Sequence, residues 1–296
     1  MRKIIIEKND SDQRLDRFLM KYLDNSSRGN IYKLIRKKVF KLNGKRIKED
    51  VFIKENDVLE IFLAEETIAS LQKEEEKVEK RGLDLPIVYE DEEILFVNKP
   101  KGLLTHPDKT EYKNTLSTKV LAYLADYSTR RFKPAPVQRL DKNTSGLVLF
   151  AKTYDSLKKF NEKMRNREIE KYYLAVVEGN VEKNGEIKGK LTKKEGINKV
   201  QVGKTGEKEF HTKYKVLERY GKYTLLEVKL ETGRTHQIRA SLNHIGHPIV
   251  GDRKYGGKTI GNVRSQLLHA YKVKFDGREI TCNSKEIDEF LKKYCK

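Results

Sequence analysis

Gln138-Arg139-Leu140-Asp141-Lys142-Asn143-Thr144-Ser145-Gly146 runs straight into the apolar stretch Leu147-Val148-Leu149-Phe150, so a polar loop feeds directly into a strand. The small Thr144 and Ser145 and the Cβ-less Gly146 permit a tight turn, which sets Asp141 at the strand mouth, able to face a ligand. Read alone, the segment is equally a structural Asx turn. Its first four letters occur a second time, as Gln13-Arg14-Leu15-Asp16. There helical periodicity accounts for them: Leu15 joins a stripe with Phe18, Leu19, Tyr22 and Leu23, and the charge of Asp16 is expected on the outer face.

Downstream of Leu83 the apolar runs are short and strand-like: Ile94-Leu95-Phe96-Val97, the run after Gly146, Tyr173 to Val177 and Tyr223 to Leu230. Helical patterns are few, over Tyr154 to Met164 and Gln237 to Ile245. Many strands with few helices predict an α+β fold with a mixed, mainly antiparallel sheet and a central cleft. Upstream, the Leu15 stripe predicts a helix, with Ser11 or Asp12 available to cap it. Ile31, Leu34 and Ile35 predict a second helix, and Val39, Leu42 and Ile47 alternate about the turn Asn43-Gly44. A strand over Val58 to Phe62 closes this helix-helix-hairpin unit. Residues 65–82 are charged and lack apolar periodicity, which argues for a linker with no place in a core. The expected organisation is therefore a small domain over 1–64, a charged linker over 65–82 and a larger domain over 83–296.

The 296 residues carry a formal net charge of +19, and 37% are hydrophobic against 36% charged. That balance excludes wholesale disorder and a membrane protein, and the positive excess recruits polyanions, nucleic acid first. The excess is concentrated: Arg28, Lys33, Arg36, Lys37, Lys38, Lys41, Lys45, Arg46 and Lys48 fall in a stretch without Asp or Glu, as expected for a phosphate-contacting face. Cys282 and Cys295 are too few for a disulfide framework and lack zinc-site spacing. The apolar stretch Ile4-Ile5-Ile6 is far too short for a signal sequence, so a cytoplasmic location is expected.

Two more clusters could carry chemistry. Thr232-Gly233-Arg234-Thr235-His236-Gln237-Ile238-Arg239 follows the strand ending near Leu230 and supplies two arginines and a histidine. A cation from it could hold an aspartate ionised and oriented through charge-assisted hydrogen bonds. His236 fits a neutral histidine bonded to backbone better than a metal ligand, and the histidines show no tight spacing with carboxylates, so no metal is expected. In Lys171-Tyr172-Tyr173-Leu174, alternation sends one tyrosine into a site and its neighbour to the opposite face, although core packing alone would explain either.

Together these segments resemble the RluA-type family of pseudouridine synthases, in particular its large-subunit rRNA members of the RluC kind, over nearly the whole chain. The resemblance rests on four ordered blocks: Asn98-Lys99-Pro100-Lys101-Gly102-Leu103-Leu104-Thr105-His106-Pro107; Arg139-Leu140-Asp141 with Thr144-Ser145-Gly146-Leu147; Gly233 to Arg239 with Gly246-His247-Pro248-Ile249, Gly251-Asp252 and Tyr255-Gly256; and Leu268-His269-Ala270. The first segment is similar to the S4 RNA-binding module. One departure is Gln138, where the family commonly has His.

The resemblance implies isomerisation of uridine in RNA, 23S rRNA being favoured over tRNA, on a base flipped out of its stack. Asp141 would start glycosidic cleavage, by attack at C1′ or proton abstraction at C2′; Arg239 would pair with it, and Arg234 is the weaker candidate for that role. Tyr173 would stack on the uracil and help remove the C5 proton. Arg139 and His236 would contact substrate, while Arg28, Lys33, Arg36, Lys37, Lys45 and Arg46 would bind the RNA backbone. No cofactor is needed, since the leaving group is also the returning nucleophile. A monomer with no membrane and no obligate protein partner is expected. A non-catalytic RNA-binding protein and a glycosidase releasing free uracil are the rival readings, and product analysis separates them.

Overall fold

In the computed structural model the described residues are 1–47, 50–73, 85–129, 131–194, 199–203, 206 and 208–295. They form two compact units, one of Met1–Leu83, Val120–Ala135 and Ala151–Lys159, the other of Asp84–Lys119, Pro136–Phe150 and Phe160–Lys296.

The first unit opens with strand β1 (Arg2–Ile5), β2 (Gln13–Arg14), helix α1 (Leu15–Tyr22) and α2 (Arg28–Arg36). It continues through β3 (Phe40–Leu42), β4 (Lys45–Arg46), β5 (Phe52–Ile53), β6 (Val58–Ile61) and α3 (Glu65–Ser70). Leu15, Phe18, Leu19 and Tyr22 recur at helical spacing and are all buried, together with Ile31 and Ile35 of α2, against the sheet β1-β6-β3-β4. Ser27 caps α2 by accepting from the Asn30 amide at 3.2 Å. Asn43 and Gly44 both have positive φ, 51° and 74°, as a two-residue hairpin turn requires. Segments from later in the chain belong to this unit: Arg131 Nε bonds Asp10 Oδ2 at 2.9 Å, and Phe132 packs edge-on against Tyr154.

Three expectations need correction here. The residue preceding α1 is Arg14, not Ser11 or Asp12, because Gln13 and Arg14 pair as β2 with β5 before the helix begins. Asp16 is not on the outer face but buried, satisfied by Arg14 Nε at 2.9 Å, Arg14 Nη2 at 3.1 Å and the Tyr32 hydroxyl at 2.7 Å. The charged stretch after residue 64 does enter a core: α3 buries Ile68 completely with Leu71 packed beside it, since one apolar residue per turn suffices for so short a helix. The rest of that stretch beyond residue 73, and Lys48 of the basic run, lie outside the described residues.

The second unit is built on an eleven-stranded mixed sheet. Its elements are β7 (Ile87–Glu90), β8 (Ile94–Lys99), residues 116–119 of α4 (Leu116–Tyr123), β9 (Ala135–Pro136), β10 (Ser145–Ala151), residues 160–165 of α5 (Tyr154–Arg165) and β11 (Glu170–Glu178), the remainder of α4 and α5 belonging to the first unit. After them come β12 (Gly185–Lys194), β13 (Lys199–Gly203), β14 (Lys208–Arg219), β15 (Tyr223–Leu230), α6 (Gln237–His244), β16 (Leu268–Phe275), β17 (Arg278–Thr281) and α7 (Lys285–Tyr294). The order is β13-β12-β14-β15-β11-β16-β10-β8-β7, with β17 on β16 and β9 on β10. Pairing is antiparallel from β13 through β16, whereas β10 and β16 run parallel. That parallel pair is central to the site. Gly146 has φ +115°, and a Cβ there would lie 2.3 Å from the Ala270 carbonyl oxygen, so only glycine lets the two strands close immediately after the Asp141 loop. Ile94, Phe96, Leu147, Leu149, Val273 and Phe275 form a core on one face with Phe160 and Ile169.

Candidate active site

The loop carrying Asp141 is held from the Asn98-to-Pro107 segment. Thr105 Oγ1 accepts from the Leu140 amide at 3.2 Å and donates to its carbonyl at 3.0 Å. The Lys142 carbonyl takes the Gly102 amide and the Lys99 ammonium, both at 3.0 Å. Lys99, at the end of β8, is completely buried and also donates to the Pro100 and Leu103 carbonyls at 2.9 and 2.8 Å. Burial pulls its pKa down to about 7, against the pull of the Asp141 carboxylate. Three carbonyl acceptors match the three N–H groups of the protonated form.

The partner of Asp141 comes from α6, 98 residues on. Arg239 Nη1 donates to Asp141 Oδ2 at 3.0 Å, while Nε and Nη2 form a fork on Asp252, at 2.6 Å to Oδ2 and 2.8 Å to Oδ1. Asp252 is 2% exposed and Arg239 7%, and the guanidinium also lies over the Tyr255 ring, 4.9 Å from its centroid. One orientation of the guanidinium therefore serves both carboxylates. Gln237 anchors the start of α6: Oε1 accepts from Thr232 Oγ1 and the Arg234 amide, and Nε2 donates to His211 O and Thr212 Oγ1.

His236 precedes α6 in the left-handed region, φ +53°, a conformation costing an L-residue about 1 kcal/mol or more. Its ring lies between Tyr255, whose hydroxyl is 3.0 Å from Nδ1, and Asp141, whose Oδ2 is 3.7 Å from Nε2. Burial lowers the pKa of His236, which favours the neutral imidazole despite the nearby Asp141. The Tyr255 hydroxyl is itself fixed by the Val200 amide at 2.9 Å. Both side-chain contacts of Asp141 fall on Oδ2; among the described residues none engages Oδ1, and the side chain is 28% exposed.

Tyr173 sits on β11 opposite Val228 of β15 and Ala270 of β16, and is buried. Burial first, and the Asp141 charge second, push its pKa up, so the phenol is protonated at neutral pH and close enough to feel the carboxylate. Tyr172 faces the other way and bonds Glu170 at 2.8 Å. Arg139 is exposed, and its charge helps lower the His106 pKa after burial has done so. Gln138 Nε2 reaches the Leu147 carbonyl at 3.5 Å, while its Oε1 is buried without a partner. Arg234 is not beside Asp141; its Nε donates to the Glu209 carbonyl at 3.2 Å.

In the first unit Arg28, Lys33, Arg36 and Lys37 are exposed on and just after α2, and Lys45 and Arg46 on β4. Arg28 lies over the Tyr32 ring, 5.5 Å from the centroid. Lys99, Thr105, Asp252 and Tyr255 were within motif blocks, but sequence alone assigned them no role. A lysine closing the apolar run Ile94 to Val97 is a signal of a buried, functional cation; nothing local marks Asp252 as the second acceptor of Arg239.

The arrangement is a carboxylate oriented by Arg239, with one oxygen unengaged among the described residues, and a buried tyrosine close enough for the two to interact. The family model for RNA pseudouridylate synthases matches residues 93–244, just over half of the chain. An RNA pseudouridine synthase of Aquifex aeolicus is 36% identical over 264 residues, 87% of this chain and 81% of its own. Ribosomal large subunit pseudouridine synthase C of Pasteurella multocida is 32% identical over 289 residues, 93% of this chain and 86% of its own. The solved structure of human RNA pseudouridylate synthase domain containing 4 shares the fold, with a TM-score of 0.59 at 20% identity over 70% of this chain and 91% of its own. Breadth and identity of these matches, over a site whose motifs hold one another in place, lead to one conclusion: the chain belongs to the RNA pseudouridylate synthase family and is an RNA pseudouridine synthase, an isomerase.

Proposed function

We propose that the enzyme isomerises specific uridines of 23S rRNA, with Asp141, Arg239 and Tyr173 as its catalytic group. The observation that carries the chemistry is the single-sided engagement of Asp141: Arg239 holds Oδ2 and leaves Oδ1 for the substrate. Extruding the uridine costs a few kcal/mol of unstacking, about what stacking on Tyr173 can return, on the order of 1 to 3 kcal/mol per base. The free Oδ1 then opens the N1 glycosidic bond, by adding to C1′ or by taking the C2′ proton. The uracil turns and C5 bonds to C1′ as the Oδ1–C1′ bond breaks, or as Asp141 returns the C2′ proton; the C5 proton is then lost to solvent and N1 takes one up, so nothing is released. Since the Tyr173 phenol stays protonated, it is a poor base for that proton, and its part is stacking and hydrogen-bond donation. Arg239 keeps the carboxylate oriented throughout, and Arg139 and His236 contact the substrate around it.

Residues 1–64, with α3 in the same core, act as an S4-like RNA-binding domain, and 83–296, apart from the segments 120–135 and 151–159 of the first unit, as the catalytic domain. The exposed cations Arg28, Lys33, Arg36, Lys37, Lys45 and Arg46 contact phosphates. The rRNA substrate is favoured by the relatives named as ribosomal large subunit synthases, of types C and D. Incubating the enzyme with unmodified 23S rRNA and with tRNA, then mapping pseudouridine by carbodiimide adduct and reverse-transcription stops, tests it. New stops in 23S rRNA are expected; stops confined to tRNA would overturn the substrate.

A further inference from the structure

Two residues before Tyr173 stands a half-buried cation that the proposed chemistry does not use. Lys171 pairs with Leu230 across β11 and β15 and lies on the same strand face as Tyr173, about 7 Å along the strand. Its ammonium group reaches a cavity of about 230 Å³ bounded by the end of α5, the start of β11 and the turn from Leu230 to Arg234. Among the described residues its one hydrogen bond is to Met164 Sδ, at 3.6 Å. Among the described residues no carboxylate pairs with it, and burial lowers its pKa without an opposing charge.

The cavity wall is strongly biased. Its two carboxylates are already engaged, Glu170 by Lys229 and the Tyr172 hydroxyl, Glu231 by Lys213 at 2.9 Å. Arg165, Arg167 and Arg234 also line it, without a carboxylate partner among the described residues. Arg167 has φ +62°, a conformation arginine rarely adopts, at the bend between α5 and β11. Gly233 adds an open approach: a Cβ built there would sit 3.6 Å from Lys171 Nζ.

A half-buried ammonium without a carboxylate partner among the described residues, in a cavity also lined by the exposed Arg165, Arg167 and Arg234, is poised for an anion. We propose that this cavity is a phosphodiester subsite, which takes a backbone phosphate of the RNA beside the flipped uridine. The inference rests on the reading that Tyr173 stacks on that base, since the adjacent cation then fixes the strand on one side of it.

The test measures binding without turnover, so it succeeds or fails independently of the role of Asp141. A fluorescent oligouridylate is titrated with the full-length protein across a salt series, using wild type, Lys171→Met, Lys171→Arg and Arg167→Ser. Loss of one phosphate contact on a single strand lowers the slope of log K against log salt by about 0.7, and at 0.1 M salt it weakens binding roughly five-fold. We expect that change for Lys171→Met, a smaller one for Arg167→Ser and near wild-type behaviour for Lys171→Arg. Arg167 is exposed, so its variant keeps the test decisive even if Lys171→Met fails to fold. Unchanged slopes in both would overturn the subsite. Orthophosphate that binds wild type but not Arg167→Ser without displacing the oligouridylate, at matched ionic strength, would assign the cavity to a free phosphate instead and overturn the backbone assignment.

Discussion

The letters Gln-Arg-Leu-Asp occur twice in this chain, and the two copies come to opposite ends. In the first, Arg14 folds back on Asp16 two residues away, Tyr32 completes the set, and the carboxylate is closed off at 3% exposure. In the second, Arg139 turns out to solvent and Asp141 receives its cation from Arg239, leaving one oxygen unengaged. The neighbours differ in provenance. A local arginine satisfies its aspartate fully, and the result is a structural pair. A distant arginine, already forked on Asp252, gives it one N–H of Nη1, and the result is a carboxylate held in place with one oxygen unengaged among the described residues.

That contrast can be broken at several points. Replacing Arg239 with Met should have the largest effect, because Asp252 would be left buried without its counter-charge, a loss of about 3 to 5 kcal/mol in stability by denaturant melt, together with all pseudouridine formation. A fully stable Arg239→Met protein would mean Asp252 does not depend on it. Asp16→Asn should cost about 1 to 3 kcal/mol of stability, from the donors it leaves poorly matched, while kcat at saturating RNA stays at the wild-type value. A fall in kcat there would erase the distinction between the copies. Tyr173→Phe keeps the ring and removes the hydrogen bond its hydroxyl is proposed to donate in the reaction, so single-turnover formation should slow about three- to ten-fold with RNA affinity unchanged. Changing Lys33, Arg36 and Lys37 together to Gln should lower the salt slope by up to about 0.7 to 0.9 per lost contact and leave kcat intact, separating binding from reaction. The smallest effect belongs to His236. Its folded pKa lies below the ordinary 6.5, so the folded state binds its proton less tightly than the unfolded one. Its neutral form contributes stability fully present above 6.5 and lost as pH falls through the lowered value; His236→Asn, which tolerates the left-handed backbone, should flatten that slope in pH-dependent melts.

Much of this organisation was legible from periodicity. The strand over Tyr223 to Leu230 and the helix starting at Tyr154 coincide with β15 and α5, because each has a one-sided apolar pattern. The lysine-rich β12 and β14 were not legible: they lie toward one end of the sheet, where alternation is diluted by solvated residues such as Lys208, Glu209 and Lys215. Asp16 was misjudged because a helical wheel places charge outward unless a partner is known, and Tyr32 lies on the next helix. The linker was misjudged because Ile68 is a single apolar residue among acids. In the site, Asp141 and Arg239 stood in motifs, but the fork on Asp252, the Lys99 clamp and the left-handed His236 depend on strands and loops far apart in sequence. Gln138 stands where the resembled family commonly has His, and nothing among the described residues explains its buried, unpartnered Oε1.

The central claim is that Asp141, and not its twin, does the chemistry. Asp141→Asn preserves shape and the capacity to accept from Arg239 while removing the charge, so the decisive measurement is pseudouridine yield by mass spectrometry of RNA digested after a single turnover, alongside RNA affinity. Retained affinity with no detectable pseudouridine is the predicted result; pseudouridine at the wild-type rate would contradict the account.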